Sequence, residues 1–233
     1  VRIVGWSGPR NLSTAMMYAF GARPDCAVSD EPFYAAYLAA TGLEHPMRDE
    51  ILASQPTDPE EVARACAGPV PDGREHWYQK HMCQHMLDGF PLDWAEGAAH
   101  VFLIRHPTRV VASYARKREL PSLADLGYER QLELHDRFGG PVLDSAAIRA
   151  GPDAALRGLC GALGLSFTEA MLSWPRAGHP SDGVWAVHWY DAVHASGGFA
   201  EPEGPLPELD GELRQLADAA LPIYEKLAGR AAR

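Results

Sequence analysis

Short apolar runs alternate along the chain with stretches whose apolar positions recur every three to four residues. The run Arg2-Ile3-Val4-Gly5-Trp6 predicts a buried strand, Ser7-Gly8-Pro9-Arg10-Asn11 a turn, and the periodic stretch 12–20 a helix. A second run at 26–29 leads into Asp30-Glu31-Pro32, where a carboxylate before proline predicts a helix start, with the helix carrying 33–40. Further strands are predicted at 77–80, 100–104 and 141–144, and helices at 108–118, 125–137 and 153–163, the last stopped by Gly164. A closing helix over 208–227 is expected to break at Pro222. Strands that alternate with helices imply an α/β protein of three layers, α/β/α, around a mostly parallel sheet. Two stretches stand apart: 42–75, read as a variable insertion with a short helix at 58–66, and 173–207, rich in aromatic residues but weak in periodicity.

At 233 residues, 46% hydrophobic and 22% charged, the chain has the size of one large domain spanning 1–233. The formal net charge of -10 excludes a broad basic surface for nucleic acid or anionic lipid, so any anionic ligand has to be held by a local pocket. Four cysteines, Cys26, Cys66, Cys83 and Cys160, are scattered without a Cys-x-x-Cys pair. That pattern argues against a zinc ribbon or a disulfide framework and for a reduced, cytoplasmic setting. Apolar runs fall short of the roughly 20 residues that span a bilayer, so no membrane segment is expected.

Candidate chemistry begins at the first turn. A loop that enters a helix presents backbone N–H groups to an anion, and ligands of open α/β sheets sit at the carboxyl ends of the strands. Gly8 allows close approach, while Arg10, Asn11, Ser13 and Thr14 supply donors. The Walker A pattern fails, because counting from Gly5 places Arg10 and Asn11 where glycine and lysine belong. A tight turn without a ligand accounts for this local sequence equally well.

The segment Phe102-Leu103-Ile104-Arg105-His106-Pro107-Thr108-Arg109-Val110-Val111-Ala112-Ser113-Tyr114 joins an arginine at a strand end to a serine two helical turns later. This segment resembles the 3′-phosphate-binding motif of sulfotransferases that use 3′-phosphoadenosine 5′-phosphosulfate (PAPS). Together with Gly8-Pro9-Arg10-Asn11-Leu12-Ser13-Thr14, which is similar to the family's 5′-phosphosulfate loop, it implies a P-loop NTPase-like sulfotransferase fold. The order of motifs and the segment 185–199 are similar to bacterial sulfotransferase-like proteins. Arg10 stands where the family often carries lysine. By resemblance, PAPS is the expected cofactor, a small molecule with a hydroxyl or amine is the acceptor, and no metal is required.

Transfer needs a base near the acceptor and cations near the leaving group. Glu31, at the end of the second predicted strand, is the first candidate base, as a glutamate in a comparable place is in some sulfotransferases. His81 is the second; Gln79-Lys80-His81-Met82 partly resembles the Lys-x-His segment of cytosolic members, shifted by one residue. Lys80, one of three lysines beside 18 arginines, and Arg10 are the candidate cations. Trp189 and Phe199 are candidates for stacking on adenine, against an ordinary core role. His81 and His85, four apart, lack the third ligand of a zinc site. The alternatives left open are an ATP and magnesium phosphotransferase and a nucleotide-binding protein without catalysis.

Overall fold

A computed structural model describes residues 1–116 and 121–231. Five strands form one sheet: β1 (Arg2–Ser7), β2 (Cys26–Asp30), β3 (His76–Met82), β4 (Ala99–Ile104) and β5 (Val142–Asp144), in the order β2-β3-β1-β4-β5. Every adjacent pair is parallel. Chain direction across the sheet reverses around β1, the position at which open α/β sheets present a ligand crevice.

Alternation along the central strands divides the core. Ile3, Val101 and Leu103 face a layer that includes α1 (Ser13–Gly21) and α9 (Pro152–Ala162). Val4, Trp6, Phe102 and Ile104 face the other, with α4 (Pro59–Cys66), α5 (Pro107–Tyr114), α7 (Tyr128–Phe138) and α12 (Gly211–Ala228). Each such fully buried side chain contributes about 1.5–3 kcal/mol by its removal from water. Gly5 interrupts the strand pattern for a packing reason, since a Cβ there would meet the Tyr78 ring, itself stacked on Phe20 at 4.4 Å.

Segment 42–75 holds α3 (Arg48–Ser54) and α4, the latter capped by Asp58, whose Oδ1 accepts from the Glu60 N–H at 3.0 Å. Directly after α3, Gln55 fastens the segment to the head of α2 (Tyr34–Thr41): its Nε2 donates to the Glu31 carbonyl at 3.1 Å and its Oε1 accepts from the Ala35 N–H at 3.2 Å. In 173–207 there are only the short helices α10 (Ala186–Trp189) and α11 (Asp191–His194) and an isolated Ser173–Gly198 bridge.

Three helix expectations are corrected. α12 runs unbroken through Pro222, which is exposed together with Asp218 one turn earlier, so water satisfies the carbonyl that proline leaves unpaired. The helix expected over 108–118 ends at Tyr114, and positions 117 and 118 lie outside the described residues. The stretch 125–137 divides at Gly127, whose φ of 73° ends α6 (Leu123–Leu126) before α7 begins. Among the described residues, no helix is long and apolar enough to cross a membrane.

Candidate active site

A cavity of about 430 Å³ opens at the carboxyl ends of the strands. Its walls are the loop into α1, the ends of β2 and β3, Arg105 after β4, the end of α5, and the segment from α10 to residue 200.

One wall is cationic. In the loop after β1, Arg10 and Leu12 both adopt left-handed backbone, with φ of 63° each, a turn geometry that gathers successive N–H groups at the head of α1. Asn11 ties the loop to the sheet by donating to the Leu103 carbonyl at 3.1 Å, and its own Oδ1 is buried with no hydrogen-bond partner. Arg10 Nε donates to Ser113 Oγ at 3.0 Å, and Arg105 Nη1 donates to the Arg10 carbonyl at 2.8 Å. The loop after β1 and the Arg105 segment are thereby one structure. Burial, followed by the neighbouring Arg105 and Arg116 charges, pulls Arg10 below the usual arginine range. Arg149 of α8 (Ser145–Ala150) completes this wall.

Another part of the wall holds a buried ionic centre. Lys80 Nζ lies 2.8 Å from Asp30 Oδ1 and 2.6 Å from Glu31 Oε1, and it also meets the Tyr190 hydroxyl. Tyr190 donates to Asp30 at 2.8 Å and accepts from Trp185 Nε1 at 3.0 Å. Burial drives the Lys80 ammonium down, but Asp30 and Glu31 together outweigh it and hold the group above its ordinary value. Burial lifts the Glu31 carboxyl above the carboxylate range, with Lys80 opposing and Asp30 adding to the lift. Glu31 takes a left-handed φ of 43°, which turns its side chain off β2 toward the cavity while its N–H still donates to the Lys80 carbonyl at 2.9 Å. Its second oxygen faces His85 Nδ1 at 3.8 Å. The His85 ring stacks on Tyr34 and Tyr37 at 4.4 and 4.7 Å, and burial holds it well below the usual histidine value.

The profile of the sulfotransferase domain matches residues 1–231. The chain belongs to that family. Among solved structures, the sulfotransferase domain of the curacin biosynthetic pathway aligns with a TM-score of 0.59 over 93% of this chain and 96% of its own, at 14% identity. The sulfotransferase domain of the Synechococcus PCC 7002 olefin synthase aligns at 0.53 over 94% of both chains, at 18% identity. A sulfotransferase from Alicyclobacillus acidocaldarius aligns at 0.54 over 98% and 96%, at 13% identity. These likenesses establish the fold. Two Arabidopsis thaliana proteins, named branched-chain-amino-acid aminotransferase-like proteins 1 and 2, are 36% and 34% identical over 97% of this chain. The chain spans 41% of the length of each.

Within this sulfotransferase domain, Arg10, Asn11, Ser13, Thr14, Arg105, Ser113, Lys80, Glu31 and Trp189 all line the cavity. Three expected residues do not. His81 projects from the opposite face of β3 to Lys80 and packs against Trp6, Phe33 and Trp94 at ring distances of 4.8–5.8 Å. Burial pushes its imidazole down to about 3, so it stays neutral in the core. Phe199 packs edge-on against Trp174 at 5.2 Å as part of the core, while Gly198 and Ala200 beside it reach the wall.

Gly8 is close-packed, but against protein: a Cβ there would lie 2.4 Å from the Leu126 carbonyl oxygen. Gly8→Ala is therefore expected to cost about 1–3 kcal/mol in urea unfolding, as overpacked sites do. An unchanged unfolding midpoint would show that the contact relaxes freely.

His85, Tyr190 and Arg149 complete the walls and escaped the sequence reading as site residues. His85 was visible only as half of a zinc pair with His81, and strand and turn send those two rings to different surroundings. Tyr190 carried a weak signal inside His188-Trp189-Tyr190, and Arg149 none, since it sits on a short helix that periodicity did not reveal.

Proposed function

We propose that this sulfotransferase domain transfers a sulfuryl group from PAPS to a hydroxyl or amine of a small acceptor. The observation that carries the proposal is the pairing, across one cavity, of a guanidinium wall with a buried lysine–carboxylate centre. The residues fit the donor: the mutually repelling arginines and the gathered N–H groups of the loop suit a polyanion, and the orphaned Asn11 Oδ1 suits a donor on a ligand. When bound, the donor supplies an electrophilic sulfuryl group and a phosphate leaving group.

In this reading Arg10, Asn11, Ser13 and Thr14 hold the 5′ side, Arg105 and Ser113 the 3′ phosphate, and Trp189 a face of the adenine. Arg10 offers positive charge where the leaving phosphate develops its own negative charge. Glu31 receives the acceptor proton at Oε2, the oxygen not held by Lys80, and its raised proton affinity suits a base. All three Lys80 contacts point to Asp30, Glu31 and Tyr190, so its part is to keep Glu31 ionised and aimed. No metal enters this scheme, and turnover is expected to survive a chelator.

The test is calorimetric titration with adenosine 3′,5′-bisphosphate and with ATP and magnesium, followed by release of the bisphosphate from PAPS across a panel of alcohols, phenols, sugars and amines. Tighter binding of the bisphosphate and acceptor-dependent release are expected. Equal binding of the two nucleotides would overturn the donor assignment, and binding without release for any acceptor would favour a nucleotide-binding protein. Arg105→Ala is expected to weaken bisphosphate binding about 10- to 100-fold through loss of a charge-assisted phosphate contact. Unchanged affinity would remove Arg105 from the site.

A further inference from the structure

Three arginines from separate elements converge on one carboxylate that lies outside the scheme above. Glu203 sits between the Gly198 bridge and α12, with its side chain 3% exposed. Its Oε1 meets Arg149 Nη1 at 3.0 Å and Arg105 Nη2, and its Oε2 lies 3.1 Å from Arg109 Nε. The same arginines pin the flanking backbone: Arg149 Nε donates to the Glu201 carbonyl at 2.7 Å and Arg109 Nη2 to the Gly204 carbonyl.

Arg105 and Arg149 also line the cavity, so the cluster forms the partition between the donor pocket and this segment. Both terminal nitrogens of the Arg105 fork are engaged. Nη1 is held by the Arg10 carbonyl, Nη2 by Glu203, and the buried Nε has no acceptor. A two-pronged grip on a phosphate needs two adjacent N–H groups of the guanidinium, and either edge that includes Nη2 becomes free only when Glu203 lets go. Against three guanidinium groups, a single carboxylate leaves two positive charges unbalanced. A phosphate monoester brings about one charge more than a carboxylate and a third acceptor oxygen.

We propose that Glu203 is an internal surrogate for the donor's 3′ phosphate. It holds Arg105, Arg109 and Arg149 together in the free protein and yields them when the phosphate arrives. A phosphate tethered to a bound nucleotide competes at high effective concentration, whereas free inorganic anions do not, so Glu203 guards the arginines against small anions. Arg109 and Arg149 join Arg105 as phosphate-binding residues in the loaded state. The inference rests on the reading that the cavity takes a 3′-phosphorylated nucleotide.

The experiment titrates adenosine 3′,5′-bisphosphate, adenosine 5′-phosphate and inorganic phosphate into the wild type and Glu203→Gln. Amide exchange over 199–207 is followed with and without the bisphosphate. The glutamine variant is expected to bind the bisphosphate about 10-fold more tightly, through loss of a competing charge-assisted contact, and to gain affinity for inorganic phosphate. Affinity for the 5′-phosphate should stay within about twofold, because that nucleotide brings nothing to compete with Glu203. In the wild type, the bisphosphate should speed exchange over 199–207 as the segment is released.

Bisphosphate binding that is unchanged or weaker in a folded Glu203→Gln protein would overturn the surrogate role, as would slower exchange over 199–207. Either outcome leaves the donor reading standing. If instead the wild type and the variant both fail to bind the bisphosphate, the donor reading falls and the surrogate with it. Should Glu203→Gln not fold, Glu203→Asp keeps the charge on a shorter side chain and is expected to tighten bisphosphate binding severalfold; no change there would equally overturn the role.

Discussion

Lys80→Met is expected to destabilise the protein by about 3–5 kcal/mol, the usual cost of removing one partner from a buried ion pair. For a chain of this length that is a fall in Tm of about 6–20 °C. Lys80 is 1% exposed and is the cation that directly contacts both Asp30 and Glu31. Methionine fills the volume but leaves two buried carboxylates facing each other, with Tyr190 as their chief remaining donor.

The deficit should depend on pH with a definite sign. Glu31 is already raised above its unfolded value of 4.5, and removing Lys80 removes the strongest influence that lowers it. A carboxyl whose folded value lies above its unfolded one favours the protonated folded state. Its contribution is most favourable at low pH and is lost as pH rises from the unfolded value through the folded one. Urea unfolding should therefore show the smallest gap between variant and wild type near pH 5 and a larger gap near pH 8. A gap that widens on acidification would mean that Lys80 does not hold Glu31 in its ionised form.

Glu31→Gln is expected to lower turnover by about 10²- to 10⁴-fold, the range that general-base catalysis contributes, with bisphosphate affinity within about twofold of wild type. The amide keeps the shape and still accepts from Lys80 through its oxygen, but it takes no proton. The measurement is the rate of bisphosphate release with an acceptor that the panel identifies, over a range of pH. Loss of the rising limb of the pH profile is expected along with the rate. A near-normal rate would move the base to His85, the imidazole that faces both Glu31 and the cavity. His81 is no longer a candidate, for its ring has no face on that space.

Lys80, His81 and His85 show where the reading of a sequence stops. That Lys80 and His81 point to opposite faces follows from strand alternation alone, and it favours Glu31 over a histidine base at 81. That His85 curls back to Glu31 depends on the short turn Cys83–His85 after β3, which has no signature in hydrophobic pattern. For Phe199 the sequence leaves both stacking and a core role open, because aromatic composition does not distinguish a ligand wall from a core. Its neighbour Trp174 settles the matter at 5.2 Å.

That the loop after β1 and the Arg105 segment stand at strand ends leading into helices was legible because each is local: a strand end, a turn and the head of a helix, all within about a dozen residues of one another in sequence. Patterning likewise determined the α/β class and the parallel sheet, since an apolar run and a 3.6-residue repeat are properties of adjacent positions. Only the tertiary structure placed Arg149 and Glu203, which are 54 residues apart, on the same charge cluster as Arg105, and brought Tyr190 to Lys80 across 110. Those meetings are set by strand order and by how α8 and the 173–207 segment pack over the sheet edge. Long-range packing of that kind leaves no periodicity in the chain, because what each residue contacts is decided by the fold and not by its neighbours in sequence.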